Sequence, residues 1–390
     1  MRTLRILPSL AVVAALVLSA STGACVESVP AQPGKEQAAA PKPTWPGSRT
    51  GLVFLWENGT SQNQVRNSAG EDVMCQADLR DGATYARFSA MDLVSGSFVA
   101  KAEFARDLLD ACRKSGAFSL EAVVRPASAD LKEPAAIVSF AGDKQVNFML
   151  GMVKDKLVVS LRTSQQAAES ALHFATLKAG VPQHVIVTFS AGKLLCYVNG
   201  ESKAPGLAVN GDLQPWTPAQ LVFGDDYTGA KDWPGTLEGI AIYSRALTAE
   251  EAKADAAFYL ARLQKRKPAR RVVVDARLYD ISPNTTPDTL DPGYHRLLLI
   301  DNYEVVKVIE GTCDDKKIGV ARWGILDDRV VKLDRVKGKV HRLVLEAWED
   351  NFQLDSERQS NSTEEMTLPL YYNVEKPSRA ERLRGDILKK

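Results

Sequence analysis

Histidine and cysteine are both scarce in this 390-residue chain, at four and five residues. His173, His184, His295 and His341 are each followed by something other than Glu, so the H-E-x-x-H pattern of zinc hydrolases is absent. The cysteines at 75, 112, 196 and 313 lie far apart with no C-x-x-C pair, which argues against zinc clusters. Net charge is lacking too: at +1 the chain has no global attraction for nucleic acid or an anionic surface. There is no G-x-S-x-G elbow and no G-x-G-x-x-G, and the three Gly-Lys pairs lack the Ser or Thr of a phosphate loop. What remains is an ordinary globular composition, 45% hydrophobic and 25% charged.

The N-terminus is more specific. Arg2 and Arg5 precede LPSLAVVAALVLSA, an apolar run of roughly 14 residues that is short of the ~20 needed to span a bilayer. It reads as the core of a signal peptide over 1–24. The small residues at TGAC resemble a lipoprotein box, which makes Cys25 the candidate for lipidation; plain cleavage after Ala24 is the alternative. Acyl chains add ~0.8 kcal/mol per buried CH2, enough in combination to anchor a protein at a membrane surface. The expectation is an exported protein, either a lipoprotein of the outer membrane or cell surface, or a periplasmic or secreted one. Residues 25–49, rich in Pro, Ala and charge, read as a spacer. Export permits disulfides, Cys75–Cys112 among them, but sequence does not assign pairs. Cys196, inside LLCYV, reads as a small core hydrophobe.

From Thr50 onward, short strand-like runs alternate with turns. FSLEAVVRP places Phe118, Leu120, Ala122 and Val124 on one face and Ser119, Glu121 and Arg125 on the other. AAIVSFAGD, VNFMLGMVKD, KLVVSLRT, QHVIVTFSAG, KLLCYVNGE and AQLVFGDD follow at short spacing, which predicts an all-β sandwich or jelly roll. Only LLDACRKSG, 108–116, has helical character. In WPGTLEGIAIYSRALTAEEAKA the strand TLEGIAIYS gives way to a helix with Thr248 and Glu251 as a capping box. Ala252, Ala256, Tyr259, Leu260 and Leu263 form its apolar stripe. KRKPARR then links, through 264–271, to six strand-like runs over 272–376, which predict a small β-barrel of OB-like type. The end, 377–390, reads as a basic, solvated tail.

The string W-x-G-x-L-x-x-x-x-I-Y-x-R-A-L-x-x-x-E, carried by Trp233, Gly235, Leu237, Ile242, Tyr243, Arg245, Ala246, Leu247 and Glu251, resembles the close of a concanavalin A-like, laminin-G-type jelly roll. The start at Trp56, FSLEAVVRP, HVIVTFSAGKLLCYVNGE and LVFGDD resemble earlier parts of the same fold, in order. The resemblance covers roughly 50–260, with the domain drawn as 50–263. It implies a fold shared by binding modules and by glucanases. Those glucanases use E-x-D-x-E on one strand, and here no Glu is followed two places later by Asp. Glu121 and Glu238 are isolated acids, expected at a rim or in solvent.

The resemblance also implies a rim where relatives place calcium and sometimes ligand. GDDYTGAKDW offers Asp225, Asp226 and Asp232 as Ca2+ ligands, with turn chemistry as the competing reading. Asn147 is a weaker contributor. Tyr227 and Trp216 are candidate platforms for a sugar, whereas Trp233 reads as core. The basic KRKPARR junction admits polyanion binding but is equally an ordinary linker. The expectation is a non-catalytic binding or adhesion protein with a glycan or envelope-protein partner. A component of a polysaccharide-processing system and an envelope scaffold are the alternatives, and enzymatic activity is left open.

Overall fold

The computed structural model describes residues 44–57, 64–168, 171–190 and 192–376, without the side chains of Ala204 and Pro205. The signal peptide, Cys25, the spacer as far as residue 43 and the tail 377–390 lie outside the described residues. Pro43–Lys390 forms one compact unit.

Strand patterning produces two stacked sheets. The first, eight-stranded, runs Glu201–Val209, Gly192–Val198, Gln183–Ser190, Phe118–Pro126, Gly235–Tyr243, Ala90–Asp92, Thr84–Ala86, with Leu52–Trp56 also paired to Gly235–Tyr243. The second, seven-stranded, runs Leu172–Thr176, Lys156–Leu161, Val146–Val153, Ala135–Ala141, Gln220–Phe223, Ser97–Ala100, Ala77–Arg80. Rings from the facing sheets meet between them: Phe118 stacks on Phe148 at 5.1 Å, and Phe54 lies 5.2 Å from Phe223. Strands far apart in sequence are neighbours in each sheet, as expected of a jelly-roll sandwich.

Helix α1, Ala102–Ser115, begins well before the expected 108 and ends on Gly116 in the left-handed conformation at φ 67°. Its buried face carries Phe104, Leu108 and Cys112 against the strand Leu52–Trp56. Cys75 and Cys112 are separate buried free thiols, and Cys75 Sγ accepts from Leu55 N at 3.2 Å. Helix α2, Ala249–Gln264, has the expected capping box, with Thr248 and Glu251 each bonding the other's backbone N–H. It lies on the outer face of the first sheet, so the strand Phe118–Pro126 is buried on both faces and the simple alternation does not hold. Gly239 makes this fit possible. At φ 57° it bulges the strand, and a Cβ there would meet the Tyr259 ring at 2.5 Å.

The spacer reading overran the folded part. Trp45 is 1% exposed, meets Tyr259 edge-to-face at 5.1 Å and donates its indole N–H to Glu121 at 2.6 Å. Glu121 is therefore not a rim acid: it is fully buried, with His184 Nε2 at 2.8 Å from the same oxygen.

The remaining strands close a second body. Arg271–Asp280, Leu297–Glu310, Lys317–Leu326, Leu370–Asn373 and Val340–Ala347 pair in that circular order, with Val340–Ala347 returning to Arg271–Asp280. The pair Lys317–Leu326 with Leu370–Asn373 is parallel and the other four are antiparallel, which gives the strand order of a five-stranded OB-type barrel. Two of the expected runs, YHRLLLID and YEVVKVIEG, prove to be one 14-residue strand, Leu297–Glu310. The polar residues between them mark no turn: Asp301 is fully buried, bonded by Arg322 Nη2 at 3.1 Å and by Arg335 Nε at 2.8 Å.

Two stability effects follow. Thr248→Ala removes a cap and is expected to cost about 1 kcal/mol in urea denaturation. Asp301→Ala strands Arg322 and Arg335 in the barrel and is expected to cost ~3–5 kcal/mol by the same measurement.

Candidate functional site

The rim loop suggested by the sequence is held together by its own backbone. Asp225, fully buried, accepts from Asp226 N at 2.7 Å and from Lys231 N at 2.9 Å. Asp226 accepts from the backbone N of Thr228 at 2.9 Å and from its hydroxyl at 2.5 Å. Arg80 reaches in from the neighbouring edge strand, donating Nη2 to the Asp226 carbonyl at 3.0 Å with Asp225 Oδ2 3.8 Å away. Asp232 is exposed. Among the described residues no group of three or more His, Cys, Asp or Glu side chains is gathered as a metal would require. Asn147 is fully buried and acts as a latch, donating to Thr217 O at 2.8 Å.

Trp216 is not a platform. It is 1% exposed, 5.6–5.7 Å from Phe118, Phe140 and Phe148, and its indole N–H reaches Arg162 O at 2.9 Å. An indole that completes an aromatic core has no free face for a sugar. Tyr227 is half-buried and lines a shallow groove of about 420 Å³ with Asp143, Pro218 and Gln220.

A larger concavity, about 780 Å³, opens where the sandwich meets the barrel. Several contacts between the two bodies hold its walls. Lys376, its side chain 3% exposed, bonds Asp92 and Thr84, both at 2.7 Å. Asp81 N donates to Asp327 Oδ2 at 3.0 Å, and the Phe88 and Phe352 rings meet edge-on at 5.5 Å. The floor is built just past α2: Arg266 Nη1 bonds both oxygens of Glu238 at 2.9 and 2.8 Å, and its guanidinium covers the Phe88 ring at 4.3 Å. Phe88 has φ 62°, uncommon for a bulky residue. Glu238, expected at a rim, is 8% exposed and locked in this pair.

Three acids line the cleft, and each has a cation: Asp92 with Lys376, Glu238 with Arg266, and Glu346 with Arg271 at 2.7 Å. Arg87, Arg125 and Lys267 line it as well. Of these residues Arg266, Lys267 and Arg271, in the KRKPARR junction, and the isolated acid Glu238 stood out in the sequence. Nothing marked Arg87, Phe88 or Gln353, because folding alone brings them together.

Residues 102–253 match the concanavalin A-like lectin/glucanases superfamily in its laminin-G form. The matched residues lie within the sandwich, whose fold is a laminin-G-like jelly roll. No curated protein matches the chain. Among solved structures, a Trypanosoma rangeli sialidase mutant with trans-sialidase activity is 19% identical, TM-score 0.38, over 52% of this chain and 32% of its own. A heptameric SAP-like pentraxin from Limulus polyphemus is 20% identical, TM-score 0.30, over 36% and 69%. The botulinum neurotoxin serotype C1 binding domain is 13% identical, TM-score 0.41, over 75% and 73%. The chain thus spans about a third of the sialidase's length.

Beneath α2, burial raises the Asp255 carboxyl from 3.8 to about 7, with Glu121 adding to the rise while the Gly47 N–H and His184 oppose it. The folded protein therefore keeps a proton that the unfolded chain has released. This contribution is complete below 3.8 and lost as pH climbs through about 7. Unfolding free energy from urea melts is expected to fall between pH 4 and 7, and Asp255→Asn, which can still accept from Gly47 N, should flatten that slope.

Proposed function

We propose that this chain is an exported binding protein whose jelly-roll domain engages a glycan without altering it, in the cleft between sandwich and barrel. The observation that carries this reading is a concanavalin A-like sandwich opening onto a braced concavity lined by rings, amides and guanidinium groups. Saccharide recognition needs an aromatic surface beside hydrogen-bonding groups, and Phe88, Tyr85 and Gln353 stand there with the arginines. The clamping of all three lining acids by cations supports binding over hydrolysis, which calls for a pair of carboxyl groups poised about the scissile bond.

The N-terminal sequence supports export, with Cys25 as the lipid attachment at an outer membrane or cell surface. Cys25→Ser is expected to move the protein from the membrane fraction to the soluble fraction on immunoblots; unchanged fractionation would remove the anchor. For the glycan, the full mature chain is screened on an array with calcium and again with chelator. Binding in both conditions is expected, because Asp225 and Asp226 hold the loop's own N–H groups. Loss with chelator would move the site to the Asp225–Asp232 rim with bound Ca2+. Silence in both would sink the glycan reading and favour a protein partner of the envelope.

A further inference from the structure

The cleft lining carries a charge surplus and three buried polar atoms without a hydrogen-bond partner, the donors Arg87 Nε and Arg266 Nη2 and the acceptor Gln353 Oε1. Once Asp92, Glu238 and Glu346 are matched with Lys376, Arg266 and Arg271, the lining retains Arg87, Arg125 and Lys267. None of the three is ion-paired among the described residues, although the Arg87 charge, after Arg270, helps hold the Asp350 carboxyl below its usual range. Among the described residues the Arg125 side chain donates to the Thr236 hydroxyl at 3.1 Å, and Arg87 donates Nη2 to the Lys267 carbonyl at 3.2 Å. Arg125 and Lys267 are exposed and able to meet a ligand.

The unmet atoms refine the chemistry. Arg87 Nε is a buried donor with no hydrogen-bond partner, and Gln353 Oε1 is a buried acceptor with none. The Phe88–Phe352 ring contact at 5.5 Å puts their chain neighbours, Arg87 and Gln353, on the same stretch of wall. A buried donor or acceptor left unpaired is destabilising, so a small shift of either side chain that let an occupant reach the atom is favoured. The donor needs an anionic or carbonyl oxygen, whereas the acceptor needs a hydroxyl or N–H. A simple anion such as sulfate supplies only the first. A sugar carrying an acid group supplies both, and its apolar ring face suits Phe88.

Resting on the glycan-binding reading above, we propose that the cleft is selective for acidic saccharides, those bearing carboxylate or sulfate, with Arg87, Arg125 and Lys267 facing the acid groups and Gln353 accepting from a hydroxyl. Charge-assisted bonds from guanidinium to carboxylate or sulfate are stronger than neutral ones, and bidentate geometry adds selectivity.

The test is calorimetric titration of the full mature chain with oligogalacturonate and sulfated galactan fragments, each beside its methyl-esterified or desulfated counterpart. At least tenfold tighter binding of the charged member, weakening as salt rises, is expected. Arg125→Ala and Lys267→Ala replace exposed side chains and should each cost severalfold in affinity, the double variant tenfold or more; Tyr227→Ala at the rim should leave it unchanged. Equal affinity for both members of each pair would overturn acid selectivity while leaving glycan binding in place. Loss in Tyr227→Ala with retention in the double variant would overturn the cleft as the site. Tighter binding of a short single-stranded DNA than of any saccharide would overturn the saccharide assignment. No binding of any saccharide, here or on the array, would remove the glycan reading together with this one.

Discussion

Arg266 is the side chain on which the arrangement of the two bodies turns. It follows α2, where the chain leaves the sandwich, and commits Nη1 to both oxygens of Glu238 on a central strand. Its flat guanidinium lies on Phe88 at 4.3 Å, and Phe88 in turn meets Phe352 of the barrel. One residue thereby ties the helix end, the sheet and the second body. The cleft is the gap left between those three attachments, and Lys376 and Asp327 keep it from closing or drifting. A linker rich in basic residues would otherwise leave two β bodies free to swivel.

Buried acids organise both bodies in the same way. Glu121 gathers Trp45 and His184 under α2, and Asp301 gathers Arg322 and Arg335 in the barrel. Removing charged groups from water is costly, so such networks are seldom the cheapest way to fill a core. What they add is direction. Glu121 fixes where the segment at Trp45 docks, and Asp301 keeps Leu297–Glu310 one continuous strand across both sides of the barrel. The cleft follows a similar rule at its surface: its acids are held by cations, and Arg125 and Lys267 stay exposed beside them.

Strand periodicity, the Thr248–Glu251 capping box and the Trp233–Glu251 string were legible because each rests on neighbours within a few residues. The capping box needs a spacing of three, and the strands need alternation. Errors came where a residue's environment was set from far away. Glu121 looked like a rim acid because its partners lie 76 and 63 residues distant in the chain. Trp216 looked like a sugar platform because it stands near Tyr227 in sequence, yet three phenylalanines enclose it. Trp45 looked like spacer, since nothing in its Pro-rich surroundings announces a pocket on the sandwich.

The sequence by itself determined the class of the protein: two β bodies, the first a laminin-G-like jelly roll closed by a capped helix. Local hydrophobic pattern and turn chemistry suffice for that. Tertiary structure alone decided where the cleft lies, because Arg87, Arg125, Lys267 and Gln353 come from four separated stretches of chain. Their meeting depends on how the barrel is set against the sandwich, and that is a long-range packing outcome no local spacing encodes.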